Sequence, residues 1–259
     1  MARKIPPVES PPELPEVNFS DSGNVRFLHL GTEWVQGSML LDAPNDIELE
    51  YVQRMMAWLL FVDAGAVPKL SAMQLGLGSA ALTKFCHRKL KMKTTAVELN
   101  PQVVAACRLW FKLGQDDARL RVLLADAAEE IRKPQHQGQV DALQVDLYDA
   151  DAAAPVLDSA AFYADCRNVL SEAGVLTVNL FGRDTSYARS LEKIADAFGP
   201  EAVWAFPPTR EGNTVVAAQR TPSRPDREAL SQRAEVIASK WGLPAKKWLR
   251  LFKPACLPA

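Results

Sequence analysis

From residue 70 onward, short apolar runs alternate with segments whose apolar residues recur at helical spacing, and few folds accept that pattern. "SAMQLGL", "TTAVEL", "LRVLLA", "VDALQVDLY" and "GVLTVNLF" are strand-like, while "NPQVVAACRLWFKL" and "SAAFYADCRNVL" have the spacing of helices. Strands this uniformly apolar are buried on both faces, which requires a parallel sheet covered by helices on each side. The expected fold is therefore α/β and doubly wound. The later pieces "AVWAFPP" and "NTVVAAQR" have no helix-length segment between them. They are expected to pair as an antiparallel hairpin at the sheet edge.

The flanks of this unit read differently. Five prolines in the first fifteen residues block helix and sheet ladders, so residues 1–20 are expected as a flexible arm. Residues 21–62 read as a small N-terminal β unit with a linking helix. "NVRFLHLGTEWVQGSMLLD" supplies alternating and β-branched residues punctuated by Gly31 and Gly37, and "DIELEYVQRMMAWLLF" predicts an amphipathic helix over 46–61. Residues 63–222 then form the main domain, followed by a C-terminal helix and tail over 223–259. A chain of 259 residues with 48% hydrophobic content can bury one such core.

Charge and cysteine usage exclude several functions. Thirty Lys and Arg balance 31 Asp and Glu, without the basic stripe of a nucleic-acid binder. Cys86, Cys107, Cys166 and Cys256 are far apart and form no C-x-x-C pair, so neither a metal site nor a disulfide framework is expected. The N-terminal stretch contains no apolar run long enough for a signal peptide or a membrane span. A soluble, cytoplasmic protein without membrane or nucleic-acid partners is expected.

The chemistry concentrates at strand ends. In a doubly wound sheet the ligand lies beyond the carboxyl ends of the strands, and glycines in the first strand-to-helix turn let backbone approach it. Gly76 and Gly78 occupy that turn, and Gly76-Leu77-Gly78-Ser79-Ala80-Ala81 also satisfies a dinucleotide fingerprint in form. Glu98 ends the next strand, about 20 residues on, where an acid accepts hydrogen bonds from ribose hydroxyls. It stands just before Asn100 and Pro101, a helix cap and first helical position. Asp126 and Ala127 follow the third strand, where an adenine edge could be met, and this favours an adenosyl ligand over a dinucleotide. The fourth strand runs into "VDLYDADAAAP". Six aspartates fall between Lys133 and Arg167 with no intervening Lys or Arg, so the region attracts cations. Asp151 and Asp158 read as solvated or helix-capping acids. Asp146 closes an otherwise apolar strand and reads as functional.

A doubly wound sheet ending in a hairpin resembles the S-adenosylmethionine-dependent methyltransferase class, which implies a mostly parallel seven-stranded sheet. The ordered series "LGLGSAALTKF", "TTAVELNPQVV", "LLADAAEE", "VDALQVDLYDADAAAPVLDSAAFYADCRNVLSEAGVLTVNLFG" and "GNTVVAAQ", with "EWVQGSMLLDAPNDIELEYVQRMM" upstream, is similar to the spermidine synthase (polyamine aminopropyltransferase) family. The resemblance implies transfer of an aminopropyl group from decarboxylated S-adenosylmethionine to a diamine such as putrescine, in a homodimer and without a metal. It implies that Gln36, Glu98, Asp126 and Ala127 contact the nucleoside. It implies further that Asp146 takes the amine proton, and that Tyr51 and Asp149 bind the amine.

Three features depart from the family pattern. The Tyr-His-Glu expected at the linking helix is Tyr51-Val52-Gln53-Arg54, which lacks the acid and sets a cation nearby. The usual Asp-Ser-Ser-Asp is Asp146-Leu147-Tyr148-Asp149, and the glycine turn shortens to Ser79-Ala80 after Gly78. Two alternatives stay open: a methyltransferase in which Arg54 or Lys84 binds the carboxylate of intact S-adenosylmethionine, and a nucleoside-binding homologue without turnover.

Overall fold

The strand-like runs assemble into one large sheet beside a small one, in a computed structural model that describes residues 14–147, 157–181 and 185–255. The small sheet is the antiparallel β1 (Val17–Ser22), β2 (Val25–Leu30) and β3 (Gly37–Leu40). Its first strand begins at Val17, inside the segment read as an arm, because Val17 to Ser22 pair residue for residue with Leu30 to Val25.

The chain then crosses to the main sheet through α1 (Glu50–Arg54) and a 3-10 turn over Ala57–Phe61. This corrects the continuous helix expected over 46–61. Residues Met55 to Leu60 are all at most 2% exposed. With no polar face to turn to water, they fill the core rather than coat it.

The main sheet contains β4 (Ser71–Leu75), β5 (Lys93–Glu98), β6 (Leu120–Leu124), β7 (Val140–Val145), β8 (Leu170–Phe181), β9 (Val203–Ala205) and β10 (Asn213–Gln219). The connecting helices are α2 (Ala81–Lys84), α3 (Pro101–Trp110), α4 (Ala127–Ile131), α5 (Ala160–Val169) and α6 (Thr185–Phe198). Strands β6, β5, β4, β7 and β8 run parallel, and β10 joins antiparallel between β8 and β9. The expected hairpin thus forms, with its later strand inward. The C-terminal region forms two helices, α7 (Arg227–Trp241) and α8 (Ala245–Leu251), and a two-residue strand β11 (Lys253–Pro254) that extends the sheet edge beyond β9. Both helices bury residues in the same apolar cluster as Trp58 and Leu60.

Register decides what meets at the carboxyl edge. Leu75 lies opposite both Val97 and Val145, and Val145 lies opposite Val178. One residue further along each parallel strand, Glu98, Gly76, Asp146 and Asn179 therefore fall in a row.

Candidate active site

The glycine turn is a point of close backbone approach. Gly76 has φ +89°, and a Cβ there would sit 2.2 Å from the Asp146 carbonyl oxygen. No side chain fits between the turn and the strand that carries the acid. Gly78, at φ +48°, passes the Gln36 carbonyl, 3.0 Å from where its own Cβ would be. Gly37 in turn abuts Ser79, whose hydroxyl donates to the Ser38 carbonyl at 2.8 Å. These contacts dock the small sheet onto the turn and bring Gln36 to it. Ala80 adopts a left-handed φ of +59°. The conformation that glycine usually supplies is retained at a cost of about 1–2 kcal/mol.

Glu98 faces this turn from β5. Its two carboxylate oxygens accept the backbone N–H groups of Leu77 at 3.0 Å and Asn100 at 2.8 Å. Burial pushes its pKa above the usual carboxylate value, while N–H bonds from Asn100, Leu77 and Leu99 oppose the rise. Asn100 also caps α3 by accepting from the Gln102 N–H at 2.9 Å, with Pro101 in the first helical position. On the neighbouring strand end, Asp126 caps α4 by accepting the Glu129 N–H at 2.9 Å, and Ala127 is buried behind it. Two leucines that the sequence did not single out complete this edge. Leu99 and Leu124 are 54% and 59% exposed at adjacent strand ends, an apolar surface suited to a flat ring.

Asp146 sits at the centre. The residue keeps some exposed surface, yet its carboxyl group is desolvated. The Tyr51 hydroxyl donates to its Oδ2 at 3.2 Å and the Asn179 amide to its Oδ1 at 2.9 Å. Asn179 is oriented in turn by the Asn213 amide, which donates to its Oδ1 at 3.2 Å. Burial raises the Asp146 pKa, and the two hydrogen bonds counter part of that rise. Asn179 went unremarked in the sequence although it interrupts the apolar run "VLTVNLF", the same signal that marked Asp146.

The remaining charged candidates resolve one by one. Arg54 is 5% exposed and its guanidinium is engaged, donating to the Pro207 carbonyl and to Glu50, each at 2.6 Å, above the Phe206 ring. Lys84 is buried and donates to the Phe111 carbonyl at 2.8 Å, and burial lowers its pKa to about 8. Asp158 is neither solvated nor a cap. It joins α5 to α6 by accepting from Tyr163, Ser190 and Lys193, while Ser159 caps α5. Asp149, Asp151 and Cys256 lie outside the described residues. Cys86, Cys107 and Cys166 are buried thiols whose pKa values are pushed up by desolvation.

A doubly wound sheet with a glycine turn, a turn-facing acid and a desolvated aspartate at its carboxyl edge is the architecture of the methyltransferase-fold class. Solved structures agree on the fold. A probable spermidine synthase from Corynebacterium glutamicum superposes with TM-score 0.70 at 18% identity, covering 94% of this chain and 93% of its own. Human methyltransferase-like protein 13, solved with SAH, gives TM-score 0.65 at 22% identity over 82% of this chain and 96% of its own. A spermidine synthase solved with the transition state analogue AdoDATO gives 0.59 at 18% identity over 90% and 87%. No family model matches the chain. Curated relatives go further: the polyamine aminopropyltransferases of Neisseria meningitidis and Chromobacterium violaceum are 35% and 34% identical, each across 97% of this chain and 93% of their own. The chain belongs to the polyamine aminopropyltransferase family and is a transferase.

Proposed function

We propose that this enzyme transfers an aminopropyl group from decarboxylated S-adenosylmethionine to a diamine. The observation that carries the reading is the Asp146 carboxyl, desolvated and held by Tyr51 and Asn179 beside the glycine turn. A primary amine has a pKa of about 10 and arrives protonated, unable to attack carbon. Asp146 accepts its proton. The freed nitrogen lone pair then forms a bond to the methylene carbon next to the sulfonium, the C–S bond breaks, and its electron pair stays on sulfur as a neutral thioether. Tyr51 and Asn179 hold the carboxylate in line, so most of the gain comes from position and proton transfer.

Glu98 serves the ribose hydroxyls with the lone pairs its two backbone contacts leave over, and Gln36, Asp126, Ala127, Leu99 and Leu124 surround the nucleoside. Asp149 anchors the diamine. The pairing of Arg54 and Lys84 favours the decarboxylated ligand, because neither cation remains to meet a carboxylate. The ion pair with Glu50 also offsets the charge that Arg54 would present to a diamine. The family resemblance supports a cytoplasmic homodimer.

The test incubates wild type and Asp146→Asn with decarboxylated S-adenosylmethionine and a panel of diamines, following methylthioadenosine release across pH. The variant is expected to bind nucleoside while turnover falls on the order of 10²–10⁴-fold, with partial recovery at high pH where free amine is present. A wild type that releases no methylthioadenosine with any amine, yet methylates an acceptor from S-adenosylmethionine, sinks the reading.

A further inference from the structure

A cavity of about 670 Å³ opens between the C-terminal helices, the β9–β11 sheet edge and the 3-10 turn after α1. None of the residues around Asp146 or the glycine turn line it. Its size is within the range that accommodates small organic ligands. The floor is apolar and rigid. Leu60, Trp204 and Phe252 are 1%, 6% and 4% exposed, and the Trp204 ring packs 5.4 Å from both Phe61 and Phe252. Among the described residues the buried Trp204 indole N–H has no hydrogen-bond partner.

The rim supplies charge of one sign. Arg227, Lys246, Arg250 and Lys253 line the cavity, and no carboxylate does. Lys246 is engaged by Glu235 at 2.5 Å, and Lys253 donates to the Leu249 carbonyl at 2.8 Å. Among the described residues, Arg227 and Arg250 have no partner. This contrasts with a chain whose formal net charge is only −1. Two guanidinium groups above an apolar floor match a ligand that is acidic at one end and flat and apolar at the other. A diamine would be repelled.

We propose that this cavity is a second binding site, selective for an organic anion such as a carboxylate, sulfonate or phosphate that carries an aromatic body. Naphthalene-2-sulfonate is the probe, titrated calorimetrically into the full chain beside 2-naphthylmethylammonium, which exchanges the anion for a cation, and inorganic sulfate, which lacks the apolar body. One saturable equivalent of naphthalene-2-sulfonate is expected, with the other two weaker by on the order of tenfold or more. Arg227→Gln combined with Arg250→Gln changes only exposed side chains and is expected to weaken the sulfonate by a similar factor while the melting temperature is held. The proposal is overturned if wild type shows no saturable binding, if the ammonium compound binds equally well, or if the double Gln variant binds like wild type.

Discussion

At the scale of single residues, Asp146 and Glu98 are both carboxylates that folding makes less acidic, for different ends. Asp146 has a pKa raised by burial. A raised acid contributes stability below the ordinary carboxylate pKa and loses it as pH rises through the folded value. Asp146→Asn does not titrate, so its melting temperature is expected to gain on wild type between pH 4 and pH 7; a constant gap across those melts contradicts a desolvated carboxyl. In wild type, the acidic limb of kcat/KM is expected above the usual carboxylate range, and that of kcat lower, because a bound ammonium favours the ionised acid. Glu98 differs in accepting two backbone N–H groups. Glu98→Gln turns an amide donor toward one of those donors, so it is expected to cost about 1–3 kcal/mol of stability as well as nucleoside affinity. Denaturant unfolding with an unchanged midpoint would limit Glu98 to ligand contact.

At the scale of elements, α1 and α2 show how far pattern reading reaches. Helical spacing over 46–61 was legible, but burial of Met55 to Leu60 on every side converts the second half into a 3-10 turn. Helix α2 carries Lys84 inward, where its ammonium meets the carbonyl at the end of α3. A cation suits that helix terminus, yet desolvation lowers its pKa from 10.5 to about 8. At about 1.4 kcal/mol per pH unit, the charge costs roughly 3 kcal/mol at neutral pH. For a base lowered in the folded state, stability is gained as pH rises from about 8 toward 10.5 and lost as it falls. Lys84→Met removes that dependence. Its stability relative to wild type is expected to fall between pH 7 and pH 9.5 in parallel denaturant titrations, whatever the fixed cost of the stranded Phe111 carbonyl.

At the scale of the whole molecule, the C-terminal segment is structural rather than appended. Ile237, Trp241, Leu243, Trp248 and Phe252 are each at most 8% exposed and pack with Trp58 and Leu60. Five large side chains at about 1.5–3 kcal/mol each approach the ~5–15 kcal/mol that holds a domain together. A chain ended at Pro222 is expected to lose its cooperative thermal transition and its near-ultraviolet circular dichroism. A sharp melt at the wild-type temperature would return the segment to the status of a tail.

Local sequence determined what depends on near neighbours. Strand-length apolar runs, the glycines after β4, the Asn100–Pro101 helix start and an acid ending an apolar strand are legible because each reflects a local dihedral or burial requirement. The tertiary structure alone decided the partners. The register of β4, β5, β7 and β8 brings Glu98, Gly76, Asp146 and Asn179 into one row, and the crossing of α1 delivers Tyr51 to Asp146, 95 residues away. Arg54 seemed from sequence to oppose a diamine, yet it binds a carbonyl 153 residues distant. No spacing rule encodes such pairings. They follow from which buried donors and acceptors can be satisfied together once the sheet has closed its core.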